Sequence, residues 1–410
     1  MSQPWMFVVF FTVLCGLFGL MQYRLFRLFR KWLRRAFDER DQRRWLHVGH
    51  LFLIGVNSLF VLQFFVRASD IYDAPFIQAT IVYPMGIVFA IIVFSFLVIS
   101  IADVSKFVYW FGHRAVTMAT GSPAPAPDPP LSEGRRRFLR RGGLTAAAAV
   151  GSFPVIASIA TARDYQVNRL DFSLEDLPSE FDGLTLVQVS DIHSGIYMTE
   201  QNMTEIFAIV NSLNPDLIMV TGDFVDSSDS QIEPLSNALK MLKARHSVYG
   251  CLGNHDHFAT AEKVSAAAEE RGIIMLNNSH KTIVINNRAI SIIGVDDAGR
   301  GAANFARFDE ALRSVDPESF KIMLSHRPDV WDECRTAGSH LTLSGHTHGG
   351  QVGIRLGPLN LNPVHLVHKY AMGHFEEEGK HLYVNVGVGM VGVPIRMVRP
   401  EIAALTLRSA

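Results

Sequence analysis

Five short polar blocks punctuate the second half of the chain: Asp191-Ile192-His193, Gly222-Asp223, Gly253-Asn254-His255-Asp256-His257, Ser325-His326 and Gly345-His346-Thr347-His348. Their side chains are carboxylate, imidazole and one amide. That mixed nitrogen and oxygen set suits Mn²⁺, Fe or Zn²⁺, and suits neither a thiolate site nor an all-oxygen Ca²⁺ site. In an extended segment residues i and i+2 point to one side. Asp191 with His193, and His346 with His348, can therefore each reach one ion from a single strand. Seven candidate ligands (Asp191, His193, Asp223, Asn254, His326, His346 and His348) are too many for one tetrahedral ion and fit two ions that share a carboxylate. The glycines before Asp223, Asn254 and His346 permit tight turns and close backbone approach.

Each block follows an apolar run. Residues 184–190 (LTLVQVS), 216–221 (DLIMVT), 247–252 (SVYGCL), 320–325 and 340–344 read as buried strands. Helical spacing occupies 200–213 and 232–244, and further strands are expected at 282–286, 289–295, 381–386 and 402–407. The pattern is α/β and layered, with more strand in its second part than a simple doubly wound fold carries. In open α/β sheets the C-terminal strand edge is where ligands bind. One such block reads equally well as a turn or an N-cap; five at one edge do not.

The order D-x-H, G-D, G-N-H-D, H, G-H-x-H, with gaps of 32, 31, 72 and 20 residues from Asp191 through Asp223, Asn254 and His326 to His346, resembles the calcineurin-like metallophosphoesterase superfamily. The resemblance covers about residues 165–408. Leu177-Pro178, Phe181-Asp182-Gly183, Gly294-Val295-Asp296-Asp297, Ser325 to Asp329 and Gly349-Gly350-Gln351-Val352 are similar to its membrane-associated bacterial branch, which includes transmembrane metallophosphoesterases and exported twin-arginine phosphodiesterases. The resemblance implies a layered β-sandwich flanked by helices. It assigns Asp191, His193 and His348 to one ion, Asn254, His326 and His346 to a second, and Asp223 to both. It further implies that a water or hydroxide between the ions attacks phosphorus, with His255 serving the leaving oxygen and Asp256 orienting its ring. Mn²⁺ is the first expectation for the metal, with Fe or Zn²⁺ as alternatives.

Other residues read more blandly. His257, Arg300 and Arg327 are weak candidates for substrate contact, and Asp296-Asp297 for a turn. His340, His365, His368, His374 and His381 fit no ligand spacing and read as surface or turn residues, while 387–396 (GVGMVGVPIR) reads as a loop near the site.

The first half has a different character. Hydrophobic residues make up 48% of the 410, and charged residues only 19% where soluble domains carry about 25%. Thirteen of the sixteen histidines lie after residue 162. The net charge of −1 gives no reason to expect nucleic-acid binding, and three cysteines exclude a disulfide scaffold. Three stretches in 1–105, at 5–22, 46–66 and 76–101, are long enough to cross a bilayer. Nine Lys and Arg lie between Arg24 and Arg44, against one Arg and two Asp in 67–75. By the positive-inside rule the first and third loops are cytoplasmic. Residues 24–35 (RLFRLFRKWLRR) also read as a basic amphipathic helix on the inner surface.

A Pro-rich and Arg-rich linker spans 106–141. Residues 142–162, preceded by Arg135-Arg136-Arg137-Phe138-Leu139, resemble a twin-arginine export signal, or form a fourth membrane helix. Both place the 163–410 domain outside a bacterial inner membrane, with the bilayer and the export machinery as partners. The expected activity is hydrolysis of a phosphoester, lipid-linked or nucleotide-linked. Two alternatives stand beside it: a UDP-2,3-diacylglucosamine pyrophosphatase of lipid A synthesis, and a non-catalytic metal-binding membrane sensor.

Overall fold

The computed structural model describes residues 4–67, 75–120 and 161–410 apart from 300, 357–358 and 393–394, with isolated positions between 132 and 158. Of the linker expected at 106–141, residues 106–120 instead continue the helix Tyr83–Thr120, and 121–130, the arginines at 135–137, most of 142–162 and Arg300 lie outside the described residues. The chain forms two compact units, Met1–Ile156 and Ala157–Ala410.

In the first unit, helix α1 (Pro4–Ala36) runs unbroken through both the apolar and the arginine-rich stretch. The separate amphipathic helix expected at 24–35 is therefore the end of α1, since no glycine or proline between the two stretches stops the helix. Helices α2 (Glu39–Arg67) and α3 (Tyr83–Thr120) follow. A π-helical turn, Gln78–Val82, stands just before Pro84. Proline lacks an N–H and crowds the carbonyl four residues back, and a wider turn relieves both. The Asn57 amide donates to Gln22 Oε1 across the helices at 2.8 Å, and Phe18 stacks on Phe60 and Phe89. Among the described residues, two helical stretches, Glu39–Gln63 and Thr80–Ala115, are long and apolar enough to cross a bilayer. Leu51, Phe52 and Ile54 on α2 and Val104 and Phe107 on α3 are exposed, an arrangement that lipid accommodates and water does not.

The second unit begins with β1 (Gln166–Leu174), β2 (Thr185–Val189), α4 (Glu200–Ser212), β3 (Leu217–Thr221), α5 (Ile232–Leu239), β4 (Ser247–Cys251), α6 (Ala261–Glu270) and β5 (Ile273–Met275). It continues with β6 (Ser279–Ile285), β7 (Arg288–Gly294), β8 (Phe320–Leu324), α7 (Trp331–Thr336) and β9 (Leu341–Ser344). The hairpin β10 (Ile354–Leu356) and β11 (Leu359–Leu361), then β12 (Gly373–Glu377), β13 (Lys380–Val384) and β14 (Glu401–Ser409), complete it. Two six-stranded sheets result, ordered β1-β14-β2-β3-β4-β5 and β12-β13-β9-β8-β7-β6.

Strands β2 to β5 are mutually parallel, as are β7, β8, β9 and β13. Parallel strands are buried on both faces, which is why their sequences are apolar without alternation. Leu217 and Met219 of β3 enter the core between the sheets with Leu186, Ile322 and Leu343. Ile218 and Val220 turn the other way and pack with Ile206 and Phe207 of α4. On the far side of the second sheet, Ile293, Met323 and Val384 meet Trp331 of α7. The fold is thus a β-sandwich flanked by helices. Cys251 and Cys334 occupy different cores and are unpaired.

The helix expected at 232–244 ends at Leu239. Beyond it, Arg245 and His246 already donate their N–H groups to Pro215 and Asp216 at the start of β3, so the chain has turned to enter the sheet.

Candidate metal centre

Both sheets deliver polar residues at the C-terminal ends of their parallel strands. Asp191 and His193 follow β2, Asp223 follows β3, and Asn254 and His255 follow β4; His326 follows β8, and His346 and His348 follow β9. The extended geometry expected for Asp191 with His193 and for His346 with His348 does not hold, since both pairs lie past their strand ends and His346 and His348 enter different clusters. Five of the residues at the strand ends have left-handed backbones: Asp191 (φ 52°), His193 (50°), Asp223 (54°), His346 (71°) and His348 (50°). Such conformations cost about 1–3 kcal/mol each in non-glycine residues and gather where function demands them. Glycine is obligatory at two neighbouring positions. A Cβ on Gly345 would lie 1.9 Å from Ser190 Oγ and 2.3 Å from Asp191 Oδ2, and one on Gly253 would lie 2.3 Å from Asp223 Oδ1.

Two clusters meet at Asp223. Asp191, His193, Asp223 and His348 bring donor atoms within 4.8 Å of one another, and so do Asp223, His326 and His346. His193 Nε2 lies 3.0 Å from His348 Nε2 and 3.4 Å from Asp223 Oδ2. His326 Nε2 lies 3.2 Å from Asp223 Oδ2 and 3.3 Å from His346 Nδ1. His326 Nδ1 is 2.8 Å from the Thr221 carbonyl, which can only accept, so Nδ1 carries a proton and Nε2 is the nitrogen turned toward Asp223. Asn254 Oδ1 is buried without a hydrogen-bond partner.

The electrostatics point the same way. Burial, reinforced by the neighbouring Asp223 carboxylate, pushes Asp191 up to about 6 against the pull of His326. Burial also opposes ionisation of Asp223, but His326 and His193 outweigh it and hold that carboxyl well below the usual range. For His326 burial favours the neutral ring, yet Asp223 dominates and raises it to about 10. Burial lowers His193 to about 3 and His346 to about 2. Facing imidazole nitrogens, close buried carboxylates and an orphaned amide oxygen fit divalent cations, whose charge would replace the proton that His326 holds.

The remaining candidates fall into distinct places. The His255 N–H donates to Asp223 Oδ1 at 2.8 Å, and its ring packs edge-on against His193 with centroids 4.5 Å apart. Asp256 does not orient that ring. Its oxygens accept the N–H groups of Phe224, Val225 and Gly253, while His255 Nδ1 bonds the Asp226 carbonyl. A carboxylate five residues past β4 is short enough to tie two loops together, and it is fully used in doing so. Asp256→Ala leaves three buried N–H groups unpaired, and a loss of about 3 kcal/mol in urea unfolding is expected. His257 stacks on Phe305 and bonds Asp296 at 2.8 Å. Arg327 is clamped by Asp297 at 2.7 Å and reaches His346 Nε2 at 3.0 Å.

Two residues escaped the sequence reading. Asp226 joins His193 and His255 in a further donor group, and its position after Gly-Asp-Phe-Val gave no distinct signal. Arg396, fully buried, donates to the carbonyls of Val386, Gly387 and Val398, with Nη1 3.4 Å from His348 Nδ1. An arginine inside a glycine-rich stretch was the available clue.

Residues 184–350 match the family of calcineurin-like phosphoesterases. An uncharacterized metallophosphoesterase of Bacillus subtilis, YkuE, is 31% identical over 288 residues, which are 67% of this chain and 98% of that one. A transmembrane protein with metallophosphoesterase domain from Danio rerio is 31% identical over 271 residues, covering 62% of this chain and 60% of its own. Its counterpart from Bos taurus is 26% identical over 385 residues, 89% of this chain and 81% of its own. The chain belongs to the calcineurin-like phosphoesterase family, and is a metal-dependent hydrolase of phosphoric esters.

Proposed function

We propose that the protein is a membrane-anchored phosphoesterase working with two divalent ions, its catalytic unit held on the outer side of a bacterial inner membrane. One observation carries the chemistry: two donor clusters converge on a single buried carboxylate, Asp223. In this reading Asp191, His193 and His348 hold one ion, Asn254, His326 and His346 the other, and Asp223 both. When bound, the ions (Mn²⁺ foremost, Fe or Zn²⁺ otherwise) supply a water of lowered pKa and offset charge on the phosphoryl oxygens. The Asp226 carbonyl accepts the His255 Nδ1 proton, so a proton on Nε2 is the one His255 can pass to a departing oxygen. Arg327, fixed by Asp297 beside His346, is placed to meet a phosphate oxygen.

Purified full-length protein supplied with Mn²⁺ is expected to hydrolyse bis(4-nitrophenyl) phosphate and to stop when a chelator is added. Absence of chelator-sensitive hydrolysis of any phosphodiester or phosphomonoester would sink the proposal. Sidedness rests on the arginines of 24–44 and the twin-arginine segment. A reporter fused after Ala410 and active only in the cytoplasm would reverse it, and would favour pyrophosphate cleavage of a UDP-sugar lipid.

A lipid-linked substrate is the better supported class. Leu366 and Val367 are 89% and 78% exposed and directly precede His368, whose ring lies 5.8 Å from that of His346. Phe258, 63% exposed, packs its ring on His255 at 4.9 Å. Exposed apolar side chains beside a polar site suit an acyl chain. The double variant Leu366→Ser, Val367→Ser is expected to raise KM about tenfold for a short-chain phospholipid in mixed micelles, with bis(4-nitrophenyl) phosphate turnover unchanged. An equal KM on the lipid would remove the rim from substrate binding.

A further inference from the structure

Sequence spacing leaves His374 and His381 without partners; the β12–β13 hairpin supplies them. Its antiparallel register sets Glu376 opposite His381 and His374 opposite Tyr383. Side chains alternate along a strand, so His374, Glu376 and His381 stand on one face. His374 Nε2 and His381 Nδ1 are 2.9 Å apart, with the rings 9° from parallel. Glu376 completes a trio whose donor atoms all lie within 4.8 Å of one another. None of the three belongs to the clusters at Asp223.

We propose that His374, Glu376 and His381 form a separate metal site, a two-histidine, one-carboxylate clip that takes Zn²⁺ and leaves its fourth position to water. The donor set and count are those of an open tetrahedral zinc site. Phe172 seals the inner side, its ring 4.7 Å from His374 and 6.1 Å from His381. His381 is buried while His374 and Glu376 are exposed, so an ion can enter from solvent without unfolding the hairpin. Two imidazole nitrogens at 2.9 Å need a proton between them, and a cation takes that place. Burial lowers the basicity of both rings, and His374 adds to the effect at His381, which keeps them in the neutral form that binds metal. The nearby cation, Lys380, is tied to Asp176 at 3.0 Å.

The place in the fold gives such a clip a use. Strand β12 is the edge of its sheet, and a metal tie to β13 pins an edge that has one neighbour. Strand β13 runs on into 385–389, where Val388 and Gly389 donate their N–H groups to the carbonyls of Ser190 and Asp191. Pinning the hairpin therefore steadies the segment behind Asp191.

The test counts zinc on the full-length chain in detergent. After saturation with micromolar Zn²⁺ and gel filtration, His374→Ala and Glu376→Gln should each retain one zinc ion per chain fewer than the wild type. His374→Cys, which restores a ligand, should recover it. Both loss variants change exposed residues, so folding is preserved and Mn²⁺-supported hydrolysis should match the wild type. Equal zinc content in wild type and His374→Ala would overturn the site. The count reads the hairpin alone, so it stands whether or not hydrolysis is found.

Discussion

Asp223→Asn is expected to cost the protein its metal and its activity together. Every other proposed ligand is assigned to one ion, whereas Asp223 belongs to both of the clusters that meet at it. The amide keeps the side chain's volume and an oxygen to accept the His255 N–H, which the carboxylate does at 2.8 Å. What disappears is the negative charge that His326 and His193 face at 3.2 and 3.4 Å. Two divalent ions about 3.5–4 Å apart need that charge between them. Elemental analysis of purified protein decides the matter. Both ions retained with near-normal turnover would mean the shared carboxylate is another residue, with Asp191 next in line.

His255→Ala should have the opposite signature, with metal content unchanged and turnover lost. Its ring is held by the Asp226 carbonyl and is not a member of either cluster at Asp223. A positioned acid contributes about 10²–10⁴-fold, and that loss is expected on an alkyl phosphodiester. A 4-nitrophenolate leaves without help, so the same variant should lose far less on bis(4-nitrophenyl) phosphate. Equal losses on both substrates would show that His255 stabilises the phosphoryl group rather than protonating the leaving oxygen. This result also bears on a purely metal-binding sensor, which has no use for an acid at that place.

Much of this was legible before any coordinates. Strands β2, β3, β4, β8 and β9 announce themselves because burial on both faces demands unbroken apolar runs, and the residues after them are polar because a strand edge is where a ligand is met. Membrane-length helices are legible for a related reason: a lipid solvent imposes a composition on a whole segment at once. The strands that went unrecognised, β1, β5, β10, β11 and β12, are all at sheet edges. Half-exposed or three residues long, they carry no continuous signal.

Partnership between side chains is where the sequence falls silent. The types and order of the five blocks determined that a mixed nitrogen and oxygen site would form at the C-terminal edge of the strands. The resemblance assigned Asp223 to both ions, and only the tertiary structure brings two donor clusters together at that carboxylate. The tertiary structure also decided that Asp226 rather than Asp256 would orient His255, and that Arg396 would lie against His348 from 48 residues away. The same holds for His374 and His381, whose spacing suggests nothing until the hairpin register brings their nitrogens to 2.9 Å. Composition is a property of each segment by itself, whereas distance between segments is set by how two sheets pack, and that is a property of the whole core.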